Sequence, residues 1–172
     1  HSLAQISLLV YKDNYNGEGK LTDFFIEDAQ SGTSHIIVDK DPNDIVMDIT
    51  NGSITGGEKG VIERNLISPI VIEASSADPL FPADDISILK NQVLTKGVSA
   101  LVIPTNQIEA GDIRFSFNID GTTYSICNSS QITWQKGKQY IYKIKLSGTS
   151  LNISQVSITE WETVLGDDLI IQ

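Results

Sequence analysis

The chain is poor in the residues that carry most protein chemistry. Its 172 residues include one cysteine, Cys127. No intrachain disulfide can form, so stability must come from an apolar core, which a chain of this length can build without staples. Cys127 either continues the inward phase of Tyr124 and Ile126 or lies just past the strand end, and reads as an inert packing residue. The two histidines are His1 and His35. Neither belongs to a Ser, His and acid arrangement with a recognisable elbow motif, so catalysis of that kind has no constellation to build on. His35, beside Ile36-Ile37-Val38, reads as a strand residue. Cations are also scarce: 12 Lys and Arg stand against 22 Asp and Glu, a formal charge of −10. That balance opposes nucleic-acid phosphates and anionic lipid, and no nucleic-acid partner is expected. No stretch approaches the roughly 20 apolar residues that span a bilayer, and no export signal is visible.

Helical periodicity is scarce too. The best candidate is Asp84 to Leu94, with Asp84 as a possible cap and Ile86, Leu89, Val93 and Leu94 in partial helical spacing. The preceding Ala77 to Pro82 reads as part of a long irregular loop. What the chain does have is alternation. Ile113, Phe115, Phe117 and Ile119 alternate with Arg114, Ser116, Asn118 and Asp120, the period of a strand with one dry face. Asp120-Gly121 then predicts a two-residue hairpin turn that sets Ile119 opposite Thr122, Phe117 opposite Tyr124 and Phe115 opposite Ile126.

The next strand, ending at Leu146, places Tyr142, Ile144 and Leu146 inward and Lys143 and Lys145 outward, with core on one side and a solvated edge on the other. From Leu151 to Trp161 the apolar phase changes between Ile153 and Val156, which predicts a β-bulge near Ser154-Gln155. Strands are expected at about 3–11, 21–27, 34–38, 45–50, 61–73, 98–103, 112–119, 122–127, 140–147 and 151–161. Many short strands punctuated by Gly and Asn, with no alternating helices, make an all-β sandwich of antiparallel sheets. Because alternation of Ala4, Ile6, Leu8 and Val10 begins almost at His1, the chain reads as one domain, 1–172, cut from a longer precursor whose export signal would lie upstream.

Sites are sparse. Asp39, Asp41, Asn43, Asp44 and Asp48 offer oxygen donors at alternate positions, yet the central Gly and distal Glu of a calcium loop are missing and Lys40 sits among the donors. A solvated turn is favoured over a weak cation site. Asp84-Asp85 reads as a helix or turn start. Neither a metal nor a cofactor is assigned, and no spacing of acids nominates a hydrolase pair.

One stretch carries a resemblance. Trp134-Gln135-Lys136-Gly137-Lys138-Gln139-Tyr140-Ile141-Tyr142, continued by the strand to Val156-Ser157-Ile158-Thr159-Glu160-Trp161, resembles the C-terminal signature of the fimbrillin-like proteins of Bacteroidales. That signature is an aromatic, a Gly-Lys turn, a Tyr-x-Tyr strand and a last strand ending in Trp. Leu101-Val102-Ile103-Pro104 is similar to the family's apolar run ending in Pro, Asp120-Gly121-Thr122-Thr123-Tyr124 to its Gly-Thr-x-Tyr hairpin, and His1-Ser2-Leu3-Ala4-Gln5-Ile6 to the opening of its second domain. The resemblance implies the C-terminal domain of a two-domain fimbrial subunit, with a transthyretin-like, Greek-key sandwich. It also implies export as a lipoprotein to the outer membrane and cell surface, and polymerisation with other fimbrial subunits by donor-strand insertion.

The expectation is therefore a non-enzymatic fimbrial or adhesive subunit. An unpaired sheet edge is a template for another strand. Leu169, Ile170 and Ile171, an apolar run after the acidic spacer Gly166-Asp167-Asp168, form the candidate donor strand, although folding back as the last strand of the domain is the favoured reading of this tail. Phe115, Phe117, Tyr124, Trp134, Tyr142 and Trp161 are assigned to the core. The alternative is a surface module that binds a glycan or a host protein, with Leu80 and Phe81 exposed on the Ser75 to Asn91 loop as candidate ligand contacts. A binder should show aromatic and polar residues converging on a pocket, whereas a strand-exchanging subunit should show an open edge.

Overall fold

In a computed structural model the described residues are 3–29, 37–38, 45–51, 54–56 and 58–161. Alternation of large apolar and polar residues does what its period dictates, and eight strands form two four-stranded sheets. They are β1 (Ala4–Lys12), β2 (Lys20–Asp28), β3 (Val61–Val71), β4 (Val98–Val102), β5 (Ile113–Ile119), β6 (Thr122–Cys127), β7 (Lys138–Ser147) and β8 (Ser150–Glu160). The first sheet runs β4-β1-β7-β8 and the second β6-β5-β2-β3. All neighbours are antiparallel except β1 and β7, which pair in parallel from Gln5 opposite Gln139 to Lys12 opposite Leu146. The antiparallel sandwich read from the sequence thus holds with one parallel pair inside it. Short two-stranded pieces, Thr105–Ile108 with Ile132–Trp134 and Ser76–Ala77 with Leu80–Phe81, lie outside the two sheets.

The core fills the space between the sheets. Ile6, Leu8, Phe24, Phe115, Phe117, Trp134, Tyr142 and Ile144 are buried there together. Trp134 donates its indole N–H to the Tyr142 hydroxyl at 3.1 Å, and the rings of Phe115 and Tyr142 meet tilted at 4.9 Å between centroids. Satisfying both polar atoms inside the core is what allows two amphipathic aromatics to be buried whole. Tyr124 packs against this cluster while keeping part of its ring exposed. Trp161 is not in it; the half-buried indole lies beyond the end of β8.

Local chemistry fixes the turns. Asp120 and Gly121 close the β5–β6 hairpin with φ of 53° and 79°, the left-handed values this turn requires, and the cross-strand pairs are those that the spacing predicts. The Asp120 carboxylate accepts the Tyr15 hydroxyl at 2.5 Å and the backbone N–H groups of Gly19 and Lys20 at 2.9 Å each. This ties the β1–β2 connection to the hairpin. In β8 the register shifts so that Gln155 faces Lys143 and Ile153 faces Ile144. Ser154 is therefore the extra residue, and the predicted bulge is present.

A helix, α1 (Ile86–Lys96), covers the outer face of the first sheet. Its cap is Asp85, whose Oδ1 accepts from the N–H groups of Ser87 and Ile88 at 3.0 and 3.1 Å, one residue later than the cap suggested by the sequence. Leu89 and Val93 of α1 and Phe81 pack on Leu9, Tyr11 and Ile141. With this third layer in place, both faces of β7 are covered. Lys143, expected in solvent, is 4% exposed. Its Nζ donates to Gln155 Oε1 at 2.7 Å and lies 3.5 Å from Asp84 Oδ1, so the charge is buried with a carboxylate beside it.

Candidate functional site

The sandwich is not equally closed on its two sides. On one, β6 lies against β8. On the other, β3 and β4 are the last strands of their sheets, and among the described residues nothing pairs with their outer edges. Between them opens a cavity of about 370 Å³, lined from the second sheet by Phe24, Leu66, Ile67 and Ile70 together with the polar Arg64, Asn65 and Ser68, and from the first by Val98 and Ser99. A second hollow of about 270 Å³ continues it past Gln5, Arg64, Ala100 and Leu101. Together they make a seam along the length of β4.

Both walls explain why the seam stays open. In β3 the pairing jumps from Asn65 opposite Asp23 to Ile70 opposite Leu21. Leu66 to Pro69 therefore loop out opposite Thr22, and Ile67 is left fully exposed at 104%. Proline suits such a position because it has no N–H to give a ladder. In β4, Val98, Ala100 and Val102 point inward while Ser99 and Leu101 point out, with Leu101 47% exposed. Gly97, which caps α1 and leads into β4, is needed for close approach: a Cβ there would sit 2.9 Å from the Val93 carbonyl and 3.0 Å from that of Leu8.

A third feature lies at one end of the helix layer. Trp161, Leu94 and Lys90 wall a cavity of about 290 Å³ whose other lining includes Gln5, Ser99 and Gln139. Sequence reasoning placed Trp161 in the core and missed this site. The signal was present in the two glutamines, which occupy outward positions of β1 and β7 at the same level of the sheet, where Gln5 pairs with Gln139.

The residues singled out by sequence fare unevenly. Leu80 is 45% exposed as expected, but Phe81 is 9% exposed and packs beneath α1. The short Ser76–Ala77 and Leu80–Phe81 pairing turns neighbouring side chains to opposite faces, so this loop does not present both to a ligand. Leu169, Ile170 and Ile171 lie outside the described residues, as do His1, His35 and the acidic run Asp39 to Asp44. Asp48 is described: Thr50 and Asn51 donate to its carboxylate and hold it below the usual carboxylate range, the Thr50 hydroxyl contributing most. Among the described residues no group of three or more His, Cys, Asp or Glu is placed to hold a metal ion, and no helix is long and apolar enough to cross a membrane.

Elsewhere, shifted ionisation equilibria mark structural contacts. The Tyr15 hydroxyl is pushed well above its ordinary range, first by its bond to Asp120, and Asp120 is lowered, first by the same bond. Tyr142 is raised by burial. None of these groups lines the seam or the Trp161 cavity.

Comparison with known proteins places this geometry. Among the solved structures that share the fold are two candidate cell-adhesion proteins. One is a candidate cell-adhesion protein from Bacteroides uniformis ATCC 8492, with a TM-score of 0.53 and 12% identity over 94% of this chain and 51% of that one. The other is a candidate cell-adhesion protein from Bacteroides ovatus ATCC 8483, with a TM-score of 0.55 and 12% identity over 94% of this chain and 46% of that one. The chain thus spans about half the length of the solved structures it matches. No curated protein matches the sequence. The family model for fimbrillin-like proteins, in contrast, matches residues 1–161, and the chain belongs to that family.

Proposed function

We propose that this chain is a structural or adhesive subunit of a bacterial surface fimbria, held at the outer membrane by a lipid anchor of its precursor and joined to its neighbours by strand insertion. The seam between β3 and β4 is the acceptor and Leu169, Ile170 and Ile171 are the donor. The observation that carries the reading is the pair of unpaired edges flanking one gap whose lining is mainly apolar. A strand laid there would gain main-chain hydrogen bonds from an edge and bury alternate side chains between the sheets. Family membership supports a fimbrial role, and the description of the two structural neighbours as candidate adhesion proteins supports a place at the cell surface. The role is mechanical, with no enzyme activity and no cofactor. The chain is the C-terminal domain of a two-domain subunit, in keeping with its span of about half the solved structures.

The test is size-exclusion chromatography with light scattering on the processed precursor, whole and ending at Gly166. Ladders or filaments from the whole form and monomers from the shortened one are expected. Pairing the outward Leu101→Cys with Ile171→Cys, which shares that face when Ile170 points between the sheets, should then trap intermolecular disulfides in a Cys127→Ser background. Identical mass distributions for whole and shortened chains would overturn the reading.

A further inference from the structure

The outer face of the first sheet changes character along its strands. Under α1 it is apolar, with Leu9, Tyr11 and Ile141 packed against the helix. Towards the start of β1 and β7 the same face is polar although it is still buried: Ser7 and Gln139 are both among the buried residues. Gln139 Nε2 donates to Ser7 Oγ at 3.0 Å, and Ser7 Oγ lies 2.8 Å from Ser99 Oγ. Buried amides and hydroxyls cost stability unless paired, and apolar residues would serve the packing without that demand. Where a sequence breaks the rule of an apolar interior without gain to the fold, a site is the usual reason.

Above this polar floor stands the cavity of about 290 Å³ walled by Trp161, Leu94 and Lys90. We propose that it is a saccharide subsite that takes one pyranose ring of a surface glycan. A pyranose has a C–H face that matches the flat apolar face of an indole, and a rim of hydroxyls that both donate and accept. Gln5 and Gln139 offer carboxamides, which do the same, and Ser99 adds a hydroxyl. Lys90 Nζ lies 3.4 Å from the Glu160 carbonyl oxygen, which keeps its ammonium at the rim as a donor. The volume is at the small end of ligand pockets and suits a single ring. The site adjoins the seam, with which it shares Gln5 and Ser99, while Trp161, Lys90, Leu94 and Gln139 belong to it alone.

Two tryptophans make the test direct. Trp134 is 0% exposed, so a soluble quencher such as acrylamide reads Trp161. The 172-residue chain is titrated with the methyl glycosides of glucose, galactose, mannose, fucose and N-acetylglucosamine, by quenching and by saturation-transfer NMR. At least one glycoside is expected to shield Trp161 and receive saturation on its ring protons. Trp161→Ala should abolish the transfer, and Gln5→Ala should weaken binding about tenfold, with unchanged Trp134 emission reporting an intact fold in each. If no glycoside receives saturation, or if transfer persists in folded Trp161→Ala, the proposal is overturned. Should Trp161→Ala fail to fold, Gln5→Ala decides, because its side chain is partly exposed and undiminished binding there is equally fatal.

Discussion

Trp134 and Tyr142 hold each other's polar atoms in the middle of the core, and their removal should be costly in two distinguishable ways. Truncation of Trp134 to Ala leaves a large cavity among Phe115, Tyr142 and the β5 side chains, and about 3–5 kcal/mol of stability should be lost in urea unfolding. Tyr142→Phe keeps the ring but leaves the Trp134 N–H buried without its acceptor, at a cost of about 1–3 kcal/mol. Asp120 offers a test by pH. Its carboxylate is lowered first by the Tyr15 hydroxyl and then by the Lys20 and Gly19 amides. A lowered carboxylate contributes stability that is present above its unfolded value, about 3.9, and that is lost as pH falls through the folded value. Asp120→Asn should therefore lower the urea midpoint near neutrality, and the gap to the parent protein should close in acid below about pH 4. A gap of constant size across that range would mean that the charge plays no part. Lys143 shows the limit of reading residues one at a time, because its burial depends on a helix that the alternating pattern around it does not mention.

At the scale of elements, the local rules were the legible ones. The Asp120-Gly121 turn, the β5–β6 register and the bulge at Ser154 follow from residues close in sequence, and all were foreseen from period and turn chemistry. The helix was legible only in outline. Both Asp84 and Asp85 can cap, and the choice falls to Asp85 because Asp84 turns towards Lys143. Asp85→Ala should accordingly lower stability by about 1 kcal/mol, read as a shift in thermal midpoint. Gly97→Ala should cost more than the helical propensity gained, since the added methyl meets two backbone carbonyls that cannot easily move. What was not legible needed partners far apart in the chain. The parallel pairing of β1 with β7 joins residues more than a hundred apart in sequence and leaves no periodic mark. Phe81 reads as an exposed loop residue because the helix that covers it has weak periodicity of its own. Trp161 was assigned to the core because an aromatic that ends an alternating strand looks the same whether it turns inward or flanks a polar cavity.

The whole molecule is a sandwich with its strongest pairing at the centre and its weakest along one side. β1 and β7 are flanked by strands on both edges and covered on both faces, whereas β3 and β4 each have one neighbour and border the seam. Local opening draws on elements with exposed backbone bonds and few buried contacts. Amide hydrogen exchange should therefore rank the strands: slowest in β7 and β1, faster along the outer edges of β3 and β4, and fastest at the looped-out Leu66 to Ser68. The same measurement tests the seam as an acceptor. A peptide with the sequence Gly166 to Gln172 added in excess should slow exchange along β4 or β3 and leave the β6 and β8 edges unchanged, because the gap on the β3–β4 side gives the peptide's apolar side chains somewhere to go, whereas β6 lies against β8. A replacement of Ile170 by Lys in that peptide should abolish the protection, since a second cation between the sheets would meet Arg64 and, among the described residues lining the seam, no carboxylate. Protection spread evenly over all four edges, or none at all, would show that the open side is merely an exposed edge kept apart by its bulge, and that subunits of this kind join through some other surface.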